Sequence, residues 1–137
     1  MAKGDRFPSE LRALRDTATG TEVLQLTAGP SINHATYFLQ SSFTPDGKTL
    51  LFISNRTGSW QLFAVEEYPG GAIRQLTDAA PIHPFSPAIH RDCNRVLFVR
   101  GASVWSLSLS TLQERCIVDF GTGSMGEPSL DASGDWL

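Results

Sequence analysis

The sequence has little of what would mark a secreted, membrane-bound or nucleic-acid-binding chain. Its 137 residues include only two cysteines, Cys93 and Cys116, too few for a disulfide scaffold and without metal-type spacing. They read as reduced thiols. No uninterrupted apolar run approaches 18 residues, and the opening MAKGDRFPSELRALRD carries charges where a signal peptide would have an apolar stretch. The expectation is a chain neither exported nor anchored. Charged residues make up 18%, the formal net charge is −3, and no run of Lys or Arg exceeds two residues. Binding to a nucleic-acid backbone or a membrane surface is therefore not expected. With 41% hydrophobic residues the chain reads as soluble and globular rather than disordered. Phosphate-binding glycine loops, zinc motifs, a G-x-S-x-G elbow and a cysteine placed with a histidine by a known signature are all missing, so nucleophilic catalysis has no support. No catalytic residue is assigned.

What is present is one pattern written three times. SFTPDGKTLLFISNRTGSWQLFAV runs from Ser42 to Val65, and weaker copies begin at AIHRDCNRVLFV (Ala88 to Val99) and SLDASGDWL (Ser129 to Leu137). Phe43, Ile89 and Leu130 occupy matching positions 46 and 41 residues apart. A period near 40–45 residues with several short strands per unit points to an all-β protein, a β-propeller of four-stranded antiparallel blades. In the first copy the strands are expected at Gln40–Phe43, Thr49–Ser54, Trp60–Val65 and Ile73–Thr77. Gly47 in TPDGK supplies the positive φ of the first turn. Leu50 and Phe52 face one way and Leu51 and Ile53 the other, so both faces of that strand need a partner. The second copy places strands at Ser86–Ile89, Arg95–Val99, Val104–Leu109 and Glu114–Val118, with Trp105 where Phe63 stands in the first.

EVLQLT (Glu22 to Thr27) matches AIRQLT (Ala72 to Thr77), the outermost strand of a blade. The chain thus divides into an N-terminal segment 1–34 with a closing outer strand at 22–27, blades at 35–81 and 82–122, and a truncated blade at 123–137. About two and a half blades fall short of the roughly four to eight that close a ring. Open blades would expose apolar faces and strand edges. The expectation is the N-terminal part of a longer chain, with self-association of several copies through open blade edges as the alternative.

Loops that enter an inner strand and loops that join the second and third strands emerge at one end of a propeller, beside its channel. On this chain they carry Asn33, His34, Tyr37, Asn55, Arg56, Trp60, His83, Phe85 and Arg100. Imidazole and guanidinium groups there suit an anionic ligand, and Tyr or Trp can stack on a ring. Each residue also has a plainer reading: His34 and His83 as hydrogen-bonded loop residues, Arg56 as the brace of its own turn, Trp60 as blade packing. His90 lies in the turn at the opposite end and reads as solvated. Glu66 and Glu67 read as a solvated turn.

The first copy, closed by IRQLT, resembles the TolB-type propeller repeat. A second resemblance covers residues 1 to about 118. MAKG, D-x-x-T-G-x-E-V-x-x-L-T (Asp16 to Thr27), N-H-x-x-Y-F-x-Q (Asn33 to Gln40), F-T-P-D-G-K-x-L-L-F (Phe43 to Phe52) and TLQERCIV (Thr111 to Val118) together resemble the N-terminus of oligogalacturonate lyases. That resemblance implies a bacterial, cytoplasmic, seven-bladed propeller that cleaves small pectin-derived oligouronates by β-elimination. It implies a divalent cation, usually manganese, that neutralises the uronate carboxylate and acidifies the neighbouring C5 proton. The cation's ligands would lie outside this chain, which alone would be inactive. His34, Tyr37 and Gln40 match the family's H-x-x-Y-F-x-Q and become substrate-binding candidates together with Arg56, Trp60 and His83. The family pattern has Arg where this chain has Ala35, and a different loop where it has Arg56. A different class of function, a TolB-type scaffold that docks a peptide or protein without catalysis, is the main alternative; a propeller gating a downstream peptidase is a third.

Overall fold

The computed structural model describes residues 2–135. They form eleven strands: β1 (Arg6–Phe7), β2 (Arg12–Arg15), β3 (Glu22–Gln25), β4 (Asn33–His34), β5 (Leu50–Ser54), β6 (Gln61–Val65), β7 (Ile73–Gln75), β8 (Ala88–Ile89), β9 (Arg95–Arg100), β10 (Ser103–Ser108) and β11 (Glu114–Asp119), with no helix among the described residues. Two antiparallel sheets are the two expected blades. The first has the order β1-β7-β6-β5-β4 and the second β11-β10-β9-β8. Strand pairs that the sequence sets next to each other are neighbours in space, as short turns require.

The two-sided apolar pattern accounts for the packing. Phe52 sits opposite Phe63, and Ile53 opposite Leu62, so alternate cross-strand pairs point to opposite faces. One face (Leu51, Ile53, Leu62, Ala64 and Leu76) packs against Val96, Phe98 and Leu107 of the second blade in a single core. The other face gathers Phe52, Phe63, Val65 and Ile73, covered by Phe7 from the N-terminal segment. Phe63, Phe98, Leu51, Ile53, Leu62 and Leu107 are all completely enclosed. Each contributes about 1.5–3 kcal/mol of burial free energy, and all of them but Phe63 belong to the inter-blade core, which is the larger stabilising layer. The TPDGK turn has the expected form: Gly47 has a φ of 70°, and its amide donates to the Thr44 carbonyl at 2.8 Å.

Four features differ from the sequence reading. The expected inner strand Gln40–Phe43 does not form. Phe43 makes one isolated bridge to Leu50, β4 pairs with Ile53 and Ser54 instead, and residues 35–41 loop out between them. Thr36 closes that loop: its amide donates to Ser42 Oγ at 3.1 Å and its hydroxyl to the Gln40 carbonyl at 3.1 Å. Such side-chain bonds offer the backbone an alternative to the ladder. Likewise β8 is short because the Ser86 hydroxyl donates to the His83 carbonyl at 2.7 Å and accepts from the Val99 amide at 2.9 Å.

The second feature is β1, a fifth strand on the outer edge of the first blade, paired with β7. Glu66 is its clamp and not a solvated turn, because it accepts from Arg6 Nε at 2.9 Å and from Arg74 Nη1 at 3.2 Å. Third, a hairpin with no signal in the sequence is present: β3 (Glu22–Gln25), within the segment 22–27, pairs with β2, and Leu14, Val23 and Leu24 are exposed. Fourth, His90 is buried, 6% exposed. Its Nε2 lies 3.2 Å from the Gly134 carbonyl and its Nδ1 3.1 Å from the Asp92 amide. The third copy covers it with the turn at Asp131–Gly134, whose amide-to-carbonyl bond is 3.0 Å. No strand occurs in residues 123–135; Trp136 and Leu137 of that copy lie outside the described residues.

Gly71 closes the connection between β6 and β7. The Glu66 amide donates to the Ala72 carbonyl at 3.0 Å, and a Cβ on Gly71 would overlap the Glu66 carbonyl oxygen. Gly71→Ala is expected to lower stability by about 2 kcal/mol or more, whereas Gly29→Ala, which points into open space, stays within about 0.5 kcal/mol. Urea denaturation of both variants checks this.

Candidate functional site

The upper end of the first blade is where β5 finishes and β6 begins. His34 is opposite Ile53, and Asn33 opposite Ser54, so β4 delivers the imidazole to this end. Trp60 immediately precedes β6. Entry into the second blade is fastened to the same place: the Ile82 amide donates to the Trp60 carbonyl at 3.1 Å and the His83 amide to the Val99 carbonyl at 2.8 Å. Four of the six residues singled out from the sequence, His34, Tyr37, Trp60 and His83, therefore meet, and Phe85 is their hub. Its ring centroid lies 5.1 Å from that of His34, 6.4 Å from Tyr37 and 6.3 Å from His83. His34 and Trp60 are 5.4 Å apart. These are ordinary distances for offset and edge-to-face ring pairs.

The polar atoms of this cluster are few. His34 Nδ1 is 2.7 Å from the Ala35 carbonyl, and a carbonyl only accepts, so Nδ1 carries a proton, and in the neutral tautomer Nε2 is the acceptor. His83 Nδ1 is enclosed with no partner among the described residues. Phe85 remains 45% exposed, and Tyr37 leads into Phe38, 81% exposed, on the 35–41 loop. The arrangement presents ring faces with one free imidazole acceptor. It can stack on a ring or an apolar sugar face and take a hydrogen bond from a hydroxyl.

Two candidates do not join it. Gln40 lines a different recess with Ser41, Phe43, Thr44, Pro45 and Ile89, beside the TPDG turn. Arg56, expected to fork onto an anionic ligand, is committed within the chain and only 7% of its side chain is exposed. Nη1 donates to Glu10 Oε1 at 3.0 Å, Nη2 to Asn33 Oδ1 at 3.2 Å and Nε to Ser54 Oγ at 3.3 Å. Its guanidinium carbon lies 5.4 Å from the ring centroids of both Phe52 and Phe63, and 5.3 Å from that of Phe7. Arg100 repeats the device in the second blade, over Phe98 and Trp105 and paired with Glu114 at 2.8 Å. A cation on a desolvated aromatic pair needs a carboxylate to offset its burial, and both arginines are used this way.

Sequence reasoning gave Phe85 no assigned role, although its place two residues after His83 in the blade-entry loop was visible. Glu10 and Phe7 left no such signal, since their partner Arg56 is far along the chain. Among the described residues no three His, Cys, Asp or Glu side chains come together as a metal site, and no helix is long and apolar enough to cross a membrane.

Comparison with known proteins places the chain in a family. Residues 1–135 match the family model of oligogalacturonate lyase. An oligogalacturonide lyase of Pectobacterium atrosepticum is 32% identical over 118 residues, which is 85% of this chain and 30% of that protein. The chain thus spans about a third of the length of the curated relatives it matches. A solved oligogalacturonate lyase in complex with manganese superposes with a TM-score of 0.82 at 28% identity, covering 89% of this chain and 32% of its own. TolB from Acinetobacter baumannii matches with a TM-score of 0.55 at 18% identity, over 86% of this chain and 33% of its own. That last likeness is one of fold alone.

Two partly buried carboxylates, Glu10 and Asp92, share one electrostatic direction. Burial works against the charged form of Glu10, but the amides of Ala28 and Gly29 and the Arg56 guanidinium outweigh it and hold the carboxyl below its ordinary range. In Asp92 burial is likewise overcome, by the Arg95 side chain, the amides of Asn94 and Arg95, and His90, which hold it well below that range. A depressed folded-state pKa contributes stability that is present above the unfolded value, near 4, and is lost as pH falls through the folded one. The urea midpoint is therefore expected to be flat from about pH 7 to 5 and to drop below about pH 4. Glu10→Gln should lower the plateau and flatten the acid limb.

Proposed function

The chain belongs to the oligogalacturonate lyase family, and we propose that the complete protein cleaves short pectin-derived oligouronates by β-elimination. In that reaction a base takes the C5 proton of a uronate residue, the electron pair forms the C4–C5 double bond, and the C4–O glycosidic bond breaks with its electrons on the departing sugar. The observation that supports this reading is the family match over residues 1–135. The convergence of His34, Tyr37, Trp60, His83 and Phe85 at one end of the blades agrees with it.

On this reading the cluster forms part of the substrate-binding face. Ring faces receive the apolar side of a sugar, and His34 Nε2 accepts from a hydroxyl. Negative charge on the oligouronate is not met by Arg56 or Arg100, whose guanidinium groups are paired with Glu10 and Glu114. A divalent cation, manganese by analogy with the solved relative, belongs to the same proposal. The described residues do not fit as its site, because they hold no cluster of three ligating side chains, and no step of the elimination is assigned to them. The strand at 22–27 closing the last blade of a ring, residues 123–137 opening a further blade, and a bacterial cytoplasmic location complete the proposal. A TolB-type binding scaffold rests on likeness of fold alone.

The test is ultraviolet absorbance of the unsaturated product when the complete protein is given oligogalacturonate. Absorbance should rise, stop on chelation and return with manganese, and the 137-residue chain alone should give none. An inactive complete protein in the presence of manganese would overturn the reading.

A further inference from the structure

His34 stands on a strand of two residues, and the chain leaves the sheet directly after it. Something other than the ladder must hold its ring against Trp60 and Phe85. The segment before it, residues 28–33, is tied at both ends to one ion pair. At its start the Ala28 amide donates to Glu10 Oε2 at 2.8 Å. At its end Arg56 Nη2 donates to Asn33 Oδ1 at 3.2 Å, while Arg56 Nη1 donates to Glu10 Oε1 at 3.0 Å. Arg56 Nε also reaches Ser54 Oγ, and Ser54 is the registered partner of Asn33. The guanidinium therefore bridges both side chains of the pairing that carries His34. Asn55 adds a second tether one residue earlier: its Oδ1 accepts from the Ile32 amide at 2.9 Å and its own amide donates to the Ile32 carbonyl at 3.3 Å.

We propose that Arg56 is a positioning residue: through its pair with Glu10 it pins both ends of segment 28–33 and so sets the His34 imidazole against Trp60 and Phe85. The fork is what matters. A lysine in its place would keep the charge opposite Glu10 and the aromatic contacts but could not reach Glu10, Asn33 and Ser54 together. Its relevance to turnover rests on the lyase reading, whereas its effect on the His34 ring does not.

The test has two arms. In the 137-residue chain, which has three histidines, the imidazole 1H–15N spectrum is compared for the unaltered chain, Arg56→Lys and the isosteric Glu10→Gln. The His34 ring signals should move in both variants while those of His90, at the opposite end of the second blade, stay in place. Unchanged His34 signals, or all three histidines moving together, overturn the proposal. In the complete protein, Arg56→Lys should raise KM roughly tenfold with kcat within about threefold, because His34 is placed as a binding group; an unchanged KM in an active protein also overturns it. If the unaltered complete protein shows no lyase activity, it is the lyase reading that fails, and the histidine spectrum still decides the role of Arg56.

Discussion

The buried pair of Arg56 with Glu10 is the constraint on which the arrangement of this chain turns. A guanidinium with 7% of its side chain exposed cannot remain charged among three phenylalanine rings without a carboxylate and further acceptors. Glu10, Asn33 and Ser54 supply them. Because Glu10 comes from the N-terminal segment, Asn33 from the approach to the inner edge and Ser54 from the end of β5, one side chain joins three stretches of chain far apart in sequence. The N-terminal segment then continues as a strap. Phe7 covers the outer face of the first blade, β1 closes its outer edge through the clamp on Glu66, and Lys3 reaches Glu114 of the second blade at 3.2 Å.

The same physical problem recurs one blade later and has the same solution. Phe98 and Trp105 form the cross-strand pair that Phe52 and Phe63 form in the first blade, and Arg100 lies over it with Glu114 as its counter-charge. In the second blade that aromatic face packs against the first blade. In the first blade it meets the strap. A repeated unit with two apolar faces thus needs a cover on each side. The cluster at the upper end, with His34 at the end of β4 and His83 on the loop that enters the second blade, follows from stacking two such units in register.

The strands with apolar residues on both faces are legible in the sequence. Leu51, Ile53, Leu62 and Ala64 behave as the alternation demands, and β5, β6, β9, β10 and β11 form within a residue or two of their expected limits. The convergence of His34, Trp60 and His83 is legible too, because it depends only on which loops share an end of the sheet. The inner strands are not. Thr36, Ser42 and Ser86 satisfy backbone groups with their hydroxyls, and that competition leaves no periodic mark. The role of Arg56 is equally hidden: its loop looks solvent-facing until Phe7 and Glu10, more than forty residues earlier, are folded over it. His90 reads as a turn residue because the segment that buries it belongs to the weak third copy.

The most direct test of this account is a double-mutant cycle on Glu10 and Arg56, with Glu10→Gln, Arg56→Gln and the double variant compared by urea denaturation at neutral pH. If the pair joins strap, blade and upper loop, the two substitutions couple by about 1 kcal/mol or more, the double variant losing less than the sum of the singles. Additive losses would show that the ion pair holds nothing together and would contradict the account.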